Sequence, residues 1–290
     1  MTKIAESELI LNPDGSVYHL HVKPENLADT IIVVGDPGRV KEISKYFDKI
    51  HFAVQNRELF THTGTIGNKR LTVLSTGMGT DNLDIVINEL DAAVNIDLET
   101  RMPKEAHTKL NIIRMGTAGA LQADILPGDF VASSYGMGMD GLLYFYDKGK
   151  SVMNAELAEA FVNHVNWNEN LPGVYAVPCS NNLMNKLGKG LVHGITLTAP
   201  GFYGPQGREL RLKVAFPELN HLIESFEYQG ERISNFEMET SALYGLGKML
   251  GHDTLTICTI VANRINQTYA TDYHADIERL IKLLLERLTQ

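Results

Sequence analysis

The run TIIVVGDPGRV, residues 30–40, sets the architecture of the chain. A run of strand length, Thr30 to Val34, apolar from Ile31 onward, reads as a buried strand, and it passes straight into a glycine turn at Gly35. The segment VKEISKYF (40–47) that follows reads as a helix. A buried strand leading through a glycine turn into a helix is the building unit of an α/β fold. In such folds ligands collect at the carboxyl ends of the strands, so this turn is the first place to look. Gly35 and Gly38 let the backbone approach a ligand closely. The helix N-terminus brings free N–H groups and a partial positive charge, and Arg39 adds a permanent one. The combination suits an anion. It is not a P-loop, because no Gly-Lys-Ser/Thr follows, and it is not GxGxxG.

The same unit recurs outward from this stretch. Strands are expected at 70–79, 111–116, 129–135, 174–179, 191–199 and 254–263. Helices are expected at 82–96, 155–165, 239–250 and 276–288, each with apolar residues at helical spacing. With no repeat, low-complexity tract or long linker, residues 1–290 read as a single domain. The expected fold is a three-layer α/β/α arrangement, a mixed central β-sheet flanked by helices.

Composition removes several function classes. Of 290 residues 26 are basic and 35 acidic, a formal charge of −9, which excludes a broad nucleic-acid-binding face but not a small anion site. Two cysteines, Cys179 and Cys258, exclude a disulfide scaffold and a four-cysteine zinc site. Both stand in apolar strand-like stretches and read as small core residues. The first residues carry Glu6, Glu8 and Asp14 without an apolar run, and no stretch reaches the ~18–20 apolar residues of a membrane span. A cytoplasmic location and no membrane partner are the expectation.

Other strand ends carry chemistry. Ser75-Thr76-Gly77-Met78-Gly79-Thr80 is a second glycine turn able to present N–H groups. Ile113-Arg114-Met115-Gly116-Thr117-Ala118-Gly119 places an arginine inside an apolar run, where a charge is costly unless paired, with a hydroxyl in what reads as the turn beyond it. Gly201-Phe202-Tyr203-Gly204-Pro205-Gln206-Gly207-Arg208 is a stiff loop. Gln206 both donates and accepts while Arg208 only donates, so the two can read the edge of a heterocycle with Phe202 available to stack. Asn235-Phe236-Glu237-Met238-Glu239-Thr240 sets paired carboxylates beside a methionine, able to clasp vicinal hydroxyls or to complement a helix dipole. No His/Asp cluster accompanies that pair, so no metal is expected. Val261-Ala262-Asn263-Arg264 ends the late strand on an arginine.

Taken in order, GDPGRV, NREL, STGMG, RMGTAGA, FYGPQGR, FEMET and IVANR resemble the nucleoside phosphorylase family, and within it the uridine-cleaving branch, from about Tyr18 to the last helix. The resemblance implies that Gly35, Arg39, Arg114 and Thr117 bind phosphate and that Arg57 reaches the phosphate of a neighbouring subunit. It implies that His19 crosses the same interface to the ribose 5′-hydroxyl, while Met238 and Glu239, with Glu237 beside them, hold the ribose hydroxyls. Gln206, Arg208 and Phe202 are implied to grip the uracil. Catalysis would rest on Arg208 and Gln206 stabilising charge on the leaving base, with Arg264 screening or polarising it. The implied assembly is a homo-oligomer, a dimer at least and a hexamer by analogy with bacterial relatives. Phosphate is a substrate and no cofactor is implied. Asn82 stands where some relatives carry a serine lining a potassium site, which leaves a monovalent cation open.

Purine-cleaving relatives place an aspartate after the late strand, and none stands at 261–264 here. The competing readings are a purine phosphorylase, a nucleosidase on the same fold, or a non-catalytic nucleoside or phosphate sensor.

Overall fold

The computed structural model describes residues 2–290. The first half holds β1 (Thr30–Val34), α1 (Pro37–Ser44), β2 (Lys49–Asn56), β3 (Leu59–Ile66), β4 (Lys69–Ser75), α2 (Thr80–Asn95), β5 (Ile96–Asp97), β6 (Met102–Pro103), β7 (Asn111–Ala120) and β8 (Phe130–Gly138). The second half holds α3 (Gly149–Val152), α4 (Ala155–Val165), β9 (Tyr175–Pro178), α5 (Asn181–Leu187), β10 (Val192–Thr198), α6 (Leu219–Glu224), β11 (Glu227–Tyr228), β12 (Glu231–Glu237), α7 (Thr240–Met249), β13 (Asp253–Asn263), β14 (Thr268–Tyr269) and α8 (Tyr273–Thr289).

One mixed sheet runs in the order β11-β12-β10-β8-β13-β7-β1-β4-β3-β2. β1 is parallel to β4 on one side and to β7 on the other, and every residue of it is buried. Its side chains alternate between two helical layers. Ile31 and Val33 join a cluster with Leu83, Val86 and Leu90 of α2 and Leu243 and Leu246 of α7. Ile32 and Val34 join Val40 and Ile43 of α1, Leu183 and Leu187 of α5, and Leu280, Ile281 and Leu284 of α8. The expected three layers and mixed sheet are therefore present. In addition β12 pairs antiparallel with β7, Asn235 opposite Ala120 and Phe236 opposite Gly119, so β7, β13, β8, β10 and β12 close into a ring.

Several elements differ from expectation, and α1 begins at Pro37 and ends at Ser44 rather than covering 40–47. β2 and β3 form a hairpin turning at Arg57; β2 exposes much of both faces and so carries no clear apolar alternation. β12 gives no strand signal, because ERISNFE buries Ser234, Asn235 and Glu237 among its apolar residues. β7 continues through Gly-Thr-Ala-Gly-Ala to Ala120 where a turn is expected, because β13 pairs with it as far as Ala120. Arg114 and Thr117 thus lie within a central strand rather than at its end. Cys258 is buried in β13, as expected of a core residue, and Cys179 is half-buried just beyond β9. Among the described residues no helix is long and apolar enough to cross a membrane.

The N-terminus of α7 is seated directly on β8. A Cβ at Gly136 would lie 2.9 Å from Ser241 N and Cα and 3.0 Å from the Thr240 carbonyl carbon, all backbone atoms with nowhere to move. Gly136→Val is expected to lower unfolding free energy by about 2 kcal/mol through overpacking, read by chemical denaturation. An unchanged midpoint would show that α7 is not held this tightly.

Candidate active site

The ends of β1, β4, β7, β12 and β13 converge with the N-termini of α1, α2 and α7. Gly77 and Gly79 hold φ of +73° and +100°. Such values favour glycine. This turn points the Gly79 N–H at Glu239 Oε1, 2.8 Å away. A Cβ on Gly35 would sit 3.4 Å from the Gly77 carbonyl oxygen, so the two glycine turns lie side by side. The N-terminus of α1 is not an open cradle. Asp36 caps it, its carboxylate accepting from the Gly38 N–H at 2.8 Å. Such a cap takes up one of the free N–H groups of the first turn. An anion here must therefore be held largely by side chains.

Two arginines supply them. Arg39 is buried, its Nε has no hydrogen-bond partner, and its guanidinium forms no ion pair among the described residues. Burial draws its pKa below the ordinary value, Asp36 and Glu42 oppose the shift, and Arg114 adds to it. Arg114 is also buried. Its Nη2 donates to Glu239 Oε2, and its Nη1 lies 3.2 Å from Glu237 Oε2 and donates to Cys258 Sγ at 3.3 Å. Burial opposes its charge, but Glu239 and Glu237 outweigh burial and raise its pKa. Burial raises the pKa of Glu239, with Glu237 adding and Arg114 opposing.

The two carboxylates do different work. Glu237 accepts from the Thr198 hydroxyl (2.7 Å) and from the N–H groups of Glu239 (2.9 Å) and Thr240 (2.9 Å), besides facing Arg114. It caps α7 and anchors Arg114, with little capacity left for a ligand. Glu239 accepts from the Gly79 N–H and from Arg114 and keeps acceptor capacity, with half-buried Met238 next to it. Behind Glu237, Thr198 Oγ1 accepts from the Ser241 N–H, and the Ser241 hydroxyl donates to Asp140, which also accepts from Tyr175. Thr198, Asp140 and Ser241 gave no sequence signal, since hydroxyls in strands and a lone aspartate after one are ordinary.

The 201–208 loop forms a second centre. The Arg208 guanidinium stacks 3.8 Å from the Phe202 ring centroid. It also donates to Phe202 O (2.7 Å) and Gln206 Oε1 (2.5 Å). A cation over an aromatic face is attracted by the ring quadrupole, which adds to these bonds. Gln206 is buried, and its carbonyl accepts from Asn220 and from Arg264, both at 3.1 Å. Burial, then Arg264, pulls the Arg208 pKa down to about 10, which leaves it charged at neutral pH. Burial also lowers that of Arg264. Arg264 joins this centre to β7, its N–H donating to Ala120 O and its stem passing over Gly119. Behind the loop lies an apolar cavity of about 260 Å³ lined by Trp167, Pro205, Val214, Phe216 and Leu219, apart from the arginine pair.

His19 and Arg57 share a separate corner. Glu89 of α2 accepts from the His19 N–H and lies 2.6 Å from its Nδ1, while Asn56 donates to His19 O at 2.9 Å. Arg57 is exposed at the β2–β3 turn with φ +53°. Among the described residues neither side chain bonds to Arg39, Arg114, Glu237 or Glu239. Thr117 is half-buried on β7, and the Asn82 amide donates to Met78 O. The 97–110 segment packs at the opposite end of α2 from Gly79, where the Thr108 N–H donates to Asn95 Oδ1, so it does not cover the site.

Asp91, His107 and His252 approach one another in the manner of metal ligands. The Leu110 N–H donates to His252 Nδ1 at 3.2 Å. A neutral imidazole that accepts on one nitrogen carries its proton on the other. That other nitrogen, Nε2, lies 3.3 Å from Asp91 Oδ1. Nε2 makes no hydrogen bond in this geometry, and as a donor facing a carboxylate rather than a free lone pair it does not suit a metal.

The sequence pattern of the Phosphorylase superfamily matches residues 29–290. The chain is 29% identical over 273 residues to a uridine phosphorylase of Thermococcus kodakarensis, spanning 92% of this chain and 84% of that one. It is 25% identical over 275 residues to a DeoD-type purine nucleoside phosphorylase of Bacillus cytotoxicus, spanning 94% and 98%. A crystal structure of a Trypanosoma brucei nucleoside phosphorylase, described as showing uridine phosphorylase activity, matches with a TM-score of 0.87 at 31% identity, covering 97% of this chain and 99% of that one.

Glu237→Gln places an amide N–H₂ against Arg114 or against the N–H groups of α7. Unfolding free energy is expected to fall by about 3 kcal/mol, the cost of breaking a buried pair. Phe202→Ala, at a side chain half exposed, should shift it by less than about 1 kcal/mol. Denaturant melts at pH 7 read both, and equal shifts would contradict the contrast.

Proposed function

The chain belongs to the Phosphorylase superfamily, and on that premise we propose that it cleaves uridine with inorganic phosphate to give uracil and ribose 1-phosphate. The observation that carries the pyrimidine reading is the preformed set of Arg208, Gln206 and Phe202, backed by Arg264 with no acid at 261–264. Arginine and the amide offer donors to the uracil carbonyl edge and Phe202 a face to stack on.

In this reading a phosphate oxygen attacks C1′ as the C1′–N1 bond breaks, and the bonding pair leaves on the base, spread to its carbonyl oxygens. Arg208, held on Gln206 and Phe202, meets that charge with little reorganisation. Glu239 and Met238 hold the ribose as its ring becomes cationic. Arg39 and Arg114 hold the phosphate beside it, which supplies proximity. The charge balance favours a second copy. Glu237 and Glu239 already offset Arg114, which leaves Arg39, without an ion pair among the described residues, to face a dianion. Arg57 of a neighbouring copy would add the missing charge, and His19 from the same corner would reach the ribose 5′-hydroxyl. The similarity to a purine nucleoside phosphorylase keeps a purine substrate as the alternative.

Uracil release from uridine is expected to require phosphate and to exceed hypoxanthine release from inosine. Equal release without phosphate would make the protein a hydrolase, and faster inosine turnover would assign it to purines. Arg114→Ala should raise the phosphate KM most and Arg208→Ala the uridine KM. Mixing and re-assembling inactive Arg57→Ala and Arg114→Ala chains should restore about a quarter of wild-type activity, because a twofold heterodimer carries one intact site. No recovery would confine the site to one chain.

A further inference from the structure

Cys258 takes part in no step above, yet its thiol touches the arginine assigned to phosphate. β13 sets Cys258 opposite Gly116 of β7. A Cβ on Gly116 would lie 2.0 Å from Arg114 Nη1 and 2.9 Å from Cys258 Sγ, so guanidinium and sulfur together fill the space that glycine leaves. The Arg114 side chain folds forward over Gly116, and its Nη1 N–H groups meet Glu237 on one side and Sγ on the other.

We infer that Cys258 is a positioning residue for phosphate use: its sulfur accepts an Nη1 N–H of Arg114 and so fixes the plane of the guanidinium fork toward the anion. The inference rests on the reading that Arg114 binds phosphate.

The chemistry of the thiol fits the task. A guanidinium in this position needs an acceptor for every inward N–H, because an unpaired buried donor is costly. A third carboxylate would supply one, but together with Glu237 and Glu239 it would repel an incoming phosphate. A thiol accepts weakly and carries no charge. Burial pushes the Cys258 pKa up to about 12, so the group stays as S–H through the neutral range. Its sulfur also fills more of the gap before Gly116 than a methyl would. Alanine would leave the Nη1 N–H without this acceptor beside a void, and the guanidinium plane, held by Glu237 and Glu239 alone, would be free to tilt away from the anion.

The test uses the full chain with three variants, Cys258→Ala, Cys258→Val and Cys258→Ser. Inorganic phosphate is titrated by calorimetry, and initial rates are measured against uridine and against phosphate. Cys258→Ala and Cys258→Val are expected to raise the phosphate Kd and KM about five-fold, the effect of losing one hydrogen bond. Their uridine KM, and kcat at saturating phosphate, should stay within about two-fold. Cys258→Ser, whose hydroxyl can accept the same N–H, should stay within about two-fold in all three. Valine fills the space without an acceptor, so it decides the matter if the alanine variant folds poorly. A phosphate KM unchanged in Cys258→Val, or a uridine KM rising in parallel with it, overturns the inference and leaves Cys258 a packing residue. Wild-type protein that fails to bind inorganic phosphate overturns instead the phosphorolytic reading, and this inference falls with it.

Discussion

The buried guanidinium of Arg114 is the constraint around which the rest is arranged. A charge in the middle of a central strand cannot remain unless carboxylates and acceptors surround it. Glu237 and Glu239 come from the junction of β12 and α7, Cys258 from β13, and Gly79, which bonds Glu239, from the N-terminal end of α2. Segments distant in sequence are thus tied to one side chain. The closure of the strand ring follows the same logic: β12 lies antiparallel on β7 just beyond Arg114, which brings both glutamates to it. Gly116 must be small because the guanidinium occupies the place of its side chain.

The consequence is a site whose charges are nearly balanced before any ligand arrives. Asp36 is committed to capping α1, and Glu237 is committed to capping α7 and holding Arg114. At this junction, among the described residues, Glu239 keeps spare acceptor capacity and Arg39 has no ion pair and an unpartnered Nε. The two groups free to act therefore have opposite signs, one suited to hydroxyls and one to an anion, and they share a junction rather than a surface. The net charge of −9 belongs to the exterior and says nothing about this interior.

Much of this was legible in the sequence, and what was not has physical reasons. β1 declares itself because helices cover both its faces, which demands an unbroken apolar run. α4 spans 155–165 as its amphipathic spacing indicates. The β2–β3 hairpin escapes because solvent, not a core, meets much of β2. β12 escapes because it buries Ser234, Asn235 and Glu237 beside Ile233 and Phe236, which erases the apolar alternation, and some of their partners are distant in sequence, as Thr196 is for the Asn235 Oδ1. The glycines of β7 read as a turn because glycine marks both turns and close approaches, and only the fold shows that Gly116 and Gly119 make room for Arg114 and Arg264. Arg39, Arg114, Gln206 and Arg208 stood out as polar groups at strand ends or in a stiff loop. His19 and Arg57 did not, since a lone histidine and an arginine at a hairpin turn carry no local signal. Thr198, Asp140 and Cys258 look like ordinary residues until the partners of Glu237 and Arg114 are traced.

The second centre shows how such an arrangement can favour a reaction over mere binding. Arg208 sits against an aromatic ring and near Arg264, and burial and that neighbour both work against its charge. On the reading proposed above, the two cations would still oppose each other with a neutral pyrimidine bound. As the glycosidic bond broke, negative charge on the base beside them would relieve that opposition. The gain therefore belongs to the transition state more than to the bound substrate, which is the condition for raising kcat rather than only lowering KM. The stiffness of the loop matters for the same reason. Gln206 is fixed through its carbonyl by Asn220 and Arg264, and Arg208 through Gln206 and Phe202, so the donors need not be gathered when the charge appears.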